Sequence, residues 1–219
     1  GFLNCKPRST KIFDKVFDNI AYKLDDVKTL HKLLKNKIKH YIFTSSSITY
    51  LNNIKNYEVE EKDWTTGKIN QNFKKKHTSF EISYAINKKK IEKYLFKKNL
   101  FKSTILRVPS VIGSSDFSKK TSYLLNYDYE KNFSKKFMND NYLQFVFKDD
   151  LVKIILKILN KKTVRTSAYN VANKKIKVYD FYKKIKKINK NFNKTRLKNK
   201  SEFPIPLNSI MKNNKIKKN

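Results

Sequence analysis

Glycine is nearly absent: three residues, Gly1, Gly67 and Gly113, in a chain of 219. A turn that closes backbone N–H groups around a phosphate needs glycines a few residues apart, so this chain encodes no glycine-rich phosphate loop. One cysteine, Cys5, excludes an internal disulfide framework and fits a reducing compartment. The three histidines, His31, His40 and His77, have no second ligand at metal-binding spacing, so no metal site is expected. No apolar run approaches the roughly 18 residues of a membrane span. The opening GFLNCKPRST is not a secretory leader. A cytoplasmic location without a membrane partner is the expectation. Arginine is scarce as well: four of the 51 basic residues, Arg8, Arg107, Arg165 and Arg196, and the rest are lysine. Readers of bases favour the bidentate arginine fork, so this composition argues against sequence-specific nucleic-acid recognition. Acids number 18, leaving a net charge of +33 that attracts polyanions through long-range electrostatics.

What is present is a foldable chain, 39% hydrophobic and 14% aromatic, long enough for a real core. KVFDNIAY (15–22) predicts a buried strand ending near Ala21. LDDVKTLHKLLKNK (24–37) predicts a helix, with Asp25 and Asp26 at its start and Val27, Leu30 and Leu34 on one face. HYIFTSSSITY (40–50) is a second strand ending in serines. Strand, helix and strand with short links indicate a parallel sheet with right-handed crossovers. Residues 51–79 read as an irregular insertion, whose Glu58, Glu60, Glu61 and Asp63 act as internal counter-charge. STILRVPSVIG (103–113) is a strand running into a turn, and YLQFVFKDDLVKIILKIL (142–159) a short strand and a helix begun by Asp149 and Asp150. SAYNVANKKIKVYDFYKKIKKI (167–188) adds a strand and a helix starting near Asp180, and the last residues are expected to fray.

Lysine follows tyrosine at the fourth place five times, starting at Tyr84, Tyr94, Tyr127, Tyr179 and Tyr182, so the spacing alone carries no weight. Position separates them. Tyr84 and Lys88 share a helical face with Ile91 and Leu95, which aims Lys88 at the core or a cleft and leaves Lys89 and Lys90 pointing away. The pairs at 179 and 182 fall on a solvated face, and the pair at 127 in a polar loop. A tyrosine working as acid/base near neutral pH needs its pKa of about 10 lowered, and a neighbouring ammonium favours the phenolate. A serine presented from a strand end holds a substrate oxygen against it.

FDNIAYKLDDVKTL, HYIFTSSSITY, SYAINKKK and ILRVPSVIG, followed by QFVFKDDLVKIILKIL and AYNVANKK, together resemble the extended or atypical short-chain dehydrogenases/reductases, the NAD-dependent epimerase/dehydratase family. The resemblance runs in order over about residues 13–188. It implies a Rossmann-like α/β fold: a parallel sheet flanked by helices, lacking its first strand–helix units, with a small C-terminal substrate lobe. Residues 1–113 would be a partial NAD(P)-binding domain, 114–189 the substrate lobe, and 190–219 a basic tail. Tyr84 would be the acid/base, Lys88 its activator and a ligand of the nicotinamide ribose, and Ser46 the substrate-orienting hydroxyl. Ala21, Thr44, Ser45, Pro109 and Val111 would line the cofactor cleft with Tyr84 and Lys88. The implied chemistry is NAD- or NADP-dependent epimerisation, dehydration or reduction of a nucleotide sugar, in a protein that commonly forms homodimers through the tyrosine-bearing helix and its neighbour.

The absent glycine turn departs from that pattern. Its place in the family lies roughly 60 to 80 residues before Gly1, about two strand–helix units. These 219 residues are therefore expected to bind NAD weakly or not at all. The alternative is a non-catalytic RNA-binding relative of the chloroplast stem-loop type, which the charge favours and Tyr84 disfavours.

Overall fold

The computed structural model describes residues 12–50, 58–66, 75, 77–98, 102–161, 165–188 and 210–217. Its strands in chain order are β1 (Phe13–Asp18), β2 (Ile38–Ser46), β3 (Lys102–Val108), β4 (Ser110–Ile112), β5 (Tyr142–Leu143), β6 (Phe145–Phe147), β7 (Ser167–Asn170) and β8 (Ile176–Lys177). The helices are α1 (Leu24–Leu34), α2 (Ser79–Lys98), α3 (Lys120–Asn126), α4 (Tyr129–Asn132), α5 (Lys135–Asp140), α6 (Lys148–Asn160), α7 (Val178–Ile188) and α8 (Asn214–Lys217).

Strands β1, β2, β3 and β7 form one sheet in that order, every neighbouring pair parallel. Parallel strands need crossovers, and α1 and α2 supply the first two on one face of the sheet. Alternation along β2 divides its side chains between two cores. Tyr41 and Phe43 pack with Val27 of α1 and with Ile91 and Leu95 of α2. Ile42 packs on the opposite face with Leu106, Val146 and Ile158 of α6. A sheet covered on both faces explains why the middle of β2 is apolar rather than alternating with polar residues.

Helix ends follow local chemistry. Asp26 accepts the backbone N–H groups of Tyr22 and Lys23 at 2.9 and 2.7 Å and opens α1. Asn36, at φ 61°, takes the left-handed conformation that stops it. Thr78 and Glu81 form a reciprocal capping box, with Thr78 N–H donating to Glu81 Oε2 at 2.8 Å and Glu81 N–H to Thr78 Oγ1 at 3.2 Å. That box fixes where α2 begins and so where Tyr84 stands.

Residues beyond β3 build a third core from Ile112, Leu124, Tyr129, Met138, Leu143, Phe145, Val178 and Ile185. Here the polar loop expected around Tyr127 gives way to the short helices α3, α4 and α5. Edge-to-face and tilted rings of Tyr123, Tyr127, Tyr129 and Phe133 hold them together, a packing that leaves no helical periodicity to read.

The expected fraying does not hold for residues 210–217. Val59 N–H donates to Ile210 O and Lys212 N–H to Val59 O, both at 2.9 Å. Gln144 exchanges two further bonds with the backbone of Met211, which is 2% exposed. One buried methionine side chain and four satisfied backbone groups anchor the segment.

Lys89 differs as well. Expected to point away, it is buried at 8% exposure, with Nζ 5.8 Å from the Trp64 ring centroid. The insertion returns at residues 58–66 and covers a second side of α2, which periodicity along α2 alone does not foretell.

Candidate active site at the strand ends

Open parallel α/β sheets bind ligands beyond the carboxyl ends of their strands. At those ends β1 leads to Ala21 and β2 ends in Thr44, Ser45 and Ser46. Tyr84 and Lys88, one turn apart on α2, face them. Lys88 is 5% exposed, and its ammonium donates to Ala21 O and Thr44 O, each at 2.9 Å. It lies 4.6 Å from the Phe43 ring centroid and 5.7 Å from that of Tyr84. Burial pulls its pKa down to about 8, against the opposing pull of Asp18, Glu92 and Asp26. Two of its three N–H donors are engaged by these carbonyls, which leaves one for a further partner.

Tyr84 is half-buried, with Ser46 close enough to influence its phenol. Its pKa is raised, first by burial and also by Tyr22, while Ser46 works against both. The lowering expected from Lys88 is absent in this state, because that ammonium is turned to the strand-end carbonyls. The ring of Tyr22 lies 5.5 Å from that of Tyr84 and 6.3 Å from that of Phe80, forming an aromatic rim. Nothing in the tyrosine–lysine spacing marks Tyr22, which arrives from the loop after β1.

The remaining expected cleft residues are spread more widely. Thr44 Oγ1 is buried and has no partner among the described residues. Ala21 contributes its carbonyl to Lys88. Ser45 is 1% exposed and its hydroxyl donates to Glu92, so its side chain is turned into the interior and away from the cleft. Pro109 is buried between β3 and β4, and Val111 packs against the α6 side of the sheet.

Beneath this site lies a polar cluster that the sequence reading missed. Arg107 and Glu92 are 1% and 0% exposed and meet at 2.7 Å. Arg107 also donates to Tyr50 Oη at 2.8 Å, and Tyr50 passes a 2.7 Å bond to Asn170 Oδ1. Burial opposes the charge on Arg107, but Glu92 and Tyr50 outweigh it and raise its pKa. An arginine set among the apolar residues of TILRVP was the available signal, since a buried guanidinium demands a carboxylate.

The histidines are accounted for by their neighbours. His31 Nδ1 meets Tyr94 Oη at 3.0 Å, His40 Nε2 meets Thr104 Oγ1 at 2.9 Å, and His77 lies 3.5 Å from Glu81. Among the described residues there is no cluster of three His, Cys, Asp or Glu that could hold a metal ion, and no helix long and apolar enough to cross a membrane. A cavity of about 480 Å³ lies against another side of α2, between Trp64, Phe96, Arg107 and Lys215, and its lining does not include Tyr84, Lys88 or Ser46.

Known structures carry the same arrangement of elements. UDP-glucuronic acid 4-epimerase of Bacillus cereus, solved in complex with NAD, superposes over 74% of this chain at 18% identity with a TM-score of 0.54. dTDP-glucose 4,6-dehydratase of Bacillus anthracis, also with NAD, covers 80% at 16% identity and 0.56. UDP-glucose 4-epimerase of Thermotoga maritima, with UDP-glucose, covers 80% at 19% and 0.56. The fold is that of the NAD-dependent epimerases and dehydratases. This chain spans 51%, 56% and 60% of the lengths of those three proteins. No family model matches the sequence, and no curated protein does.

Proposed function

We propose that this chain carries the acid/base part of an NAD(P)-dependent epimerase, dehydratase or reductase acting on a nucleotide sugar. One observation carries the reading: at the carboxyl ends of a parallel sheet Ser46 stands near enough to Tyr84 to pull its pKa down, and the buried ammonium of Lys88 lies 5.7 Å from the Tyr84 ring. Ser46 and Tyr84 together hold one substrate oxygen. Tyr84 then takes or returns the proton at that oxygen through its phenolic Oη. A positive Lys88 favours the phenolate once the third donor of its ammonium turns toward the cleft.

Part of a nicotinamide cofactor's site fits these residues. The buried hydroxyl of Thr44 lacks a partner among the described residues, and Lys88 keeps one donor unused; both would serve a ribose. The carbonyl side of Ala21 and the turn at Pro109 and Val111 would flank the ring, while Ser45 would contribute through its backbone only. The cofactor, when bound, takes up or returns a hydride at the carbon bearing that oxygen. Its pyrophosphate would be held beyond the open edge of β1, where Phe13 and Phe17 stand 37% and 40% exposed beside a strand paired only with β2 among the described residues. Residues 114–189 would hold the sugar and 190–219 form a basic tail.

The test is to incubate the protein as its own cells make it with NAD and each of UDP-glucose, UDP-glucuronic acid and dTDP-glucose, and to identify products by NMR. Conversion of at least one of them is expected. Wild-type protein that binds NAD yet leaves every nucleotide sugar unchanged overturns the substrate class.

A further inference from the structure

The outer surfaces of α1 and α2 carry a charge pattern that the proposed chemistry does not use. On α1 and its C-cap, Lys28, Lys32 and Lys35 follow one another at spacings of four and three residues. On α2, Lys90, Lys93 and Lys97 do so at three and four. All six are exposed. Each set therefore forms a stripe along one helix, about 10 Å long at 1.5 Å per residue. The two helices are neighbours on the same face of the sheet, joined by the bond between His31 and Tyr94.

Little negative charge opposes these stripes. Asp25 pairs with Lys28 at 3.3 Å, and Asp26 is occupied capping α1. On α2, Glu81 belongs to the capping box and Glu92 is 0% exposed.

We infer that this two-helix face binds the phosphodiester backbone of a nucleic acid. Lysine ammoniums are point charges suited to phosphates, and the stripes contain neither arginine nor an exposed aromatic with which to read bases, so the binding is independent of sequence. A second copy of the chain docked on this face would set lysine against lysine. A membrane would want apolar side chains to insert, and of the exposed ones on α1 and α2, Phe96 lies against Trp64 and Phe80 against Tyr22, which leaves Leu33 at 40% exposure. The inference is independent of the chemistry proposed at Tyr84.

Fluorescence anisotropy with labelled oligo(U) and oligo(dT) of about 20 nucleotides, long enough to cover both stripes, tests this across a salt series. One variant replaces Lys28, Lys32, Lys35, Lys90, Lys93 and Lys97 with Gln. A control variant of equal net charge replaces Lys153, Lys157, Lys174, Lys183, Lys184 and Lys187, all exposed elsewhere. The stripe variant should lower the salt slope by up to about 4, from roughly 0.7 per phosphate contact, and weaken binding at least tenfold more than the control. In wild-type protein, oligo(U) should also shield the six stripe lysines from acylation more than the six control lysines, which checks the surface without any variant. Equal losses in both variants, or equal shielding everywhere, would reduce the effect to diffuse charge and overturn the inference. So would loss of binding to phosphatidylserine vesicles in the stripe variant with oligonucleotide binding unchanged.

Discussion

At the scale of single residues, two buried bases make opposite ends of the pH range informative. His40 is 2% exposed, and burial, aided by Lys15, depresses its pKa from 6.5 to about 4. Between those values the unfolded chain binds a proton that the folded chain refuses, so stability rises with pH across this window and is lost as pH falls through it. The loss should reach about 3 kcal/mol below pH 4, at 1.36 kcal/mol per unit. Urea denaturation from pH 7 to 4 should show this difference between wild type and His40→Gln. Parallel curves would mean that His40 does not titrate this way. Lys88 repeats the argument on the alkaline side. Its pKa is depressed from 10.5 to about 8, so its burial cost is fully present below pH 8 and relieved as pH climbs to 10.5. Wild type should therefore gain stability relative to Lys88→Met across that window. No relative change would place the ammonium in water.

The elements show which features were open to sequence reasoning. That Ser46, Tyr84 and Lys88 fall at the same end of the sheet was legible because each lies on a regular element. Strand β2 delivers its last serines to the sheet end, and the period of α2 sets Tyr84, Lys88, Ile91 and Leu95 on one side. The direction of the tyrosine's pKa was not legible, since it depends on where a flexible lysine points and on Tyr22 from another loop. Nor was the tie between Arg107 and Glu92, which joins β3 to α2 across the core. A buried pair punishes the loss of one partner more than the loss of both. Arg107→Met and Glu92→Leu should each cost about 3–5 kcal/mol in chemical denaturation, and the double variant much less than their sum. Additive losses would show that the two side chains do not act as a pair.

For the molecule as a whole, the fold and the charge speak to different partners. The sheet and its crossovers give the fold of the epimerases and dehydratases that this chain resembles, over half to three-fifths of their length. The chain carries an excess of +33, and the lysine stripes on the outer faces of α1 and α2 lie apart from the side chains proposed to do the chemistry. The central claim, that Tyr84 moves the proton, is tested most directly by comparing Tyr84→Phe with wild type in the protein as its cells make it, with NAD and a nucleotide sugar that the wild type converts. Loss of the hydroxyl should slow turnover by about 10²–10⁴-fold with NAD affinity and unfolding midpoint unchanged. A Tyr84→Phe protein that turns over at the wild-type rate would contradict the assignment.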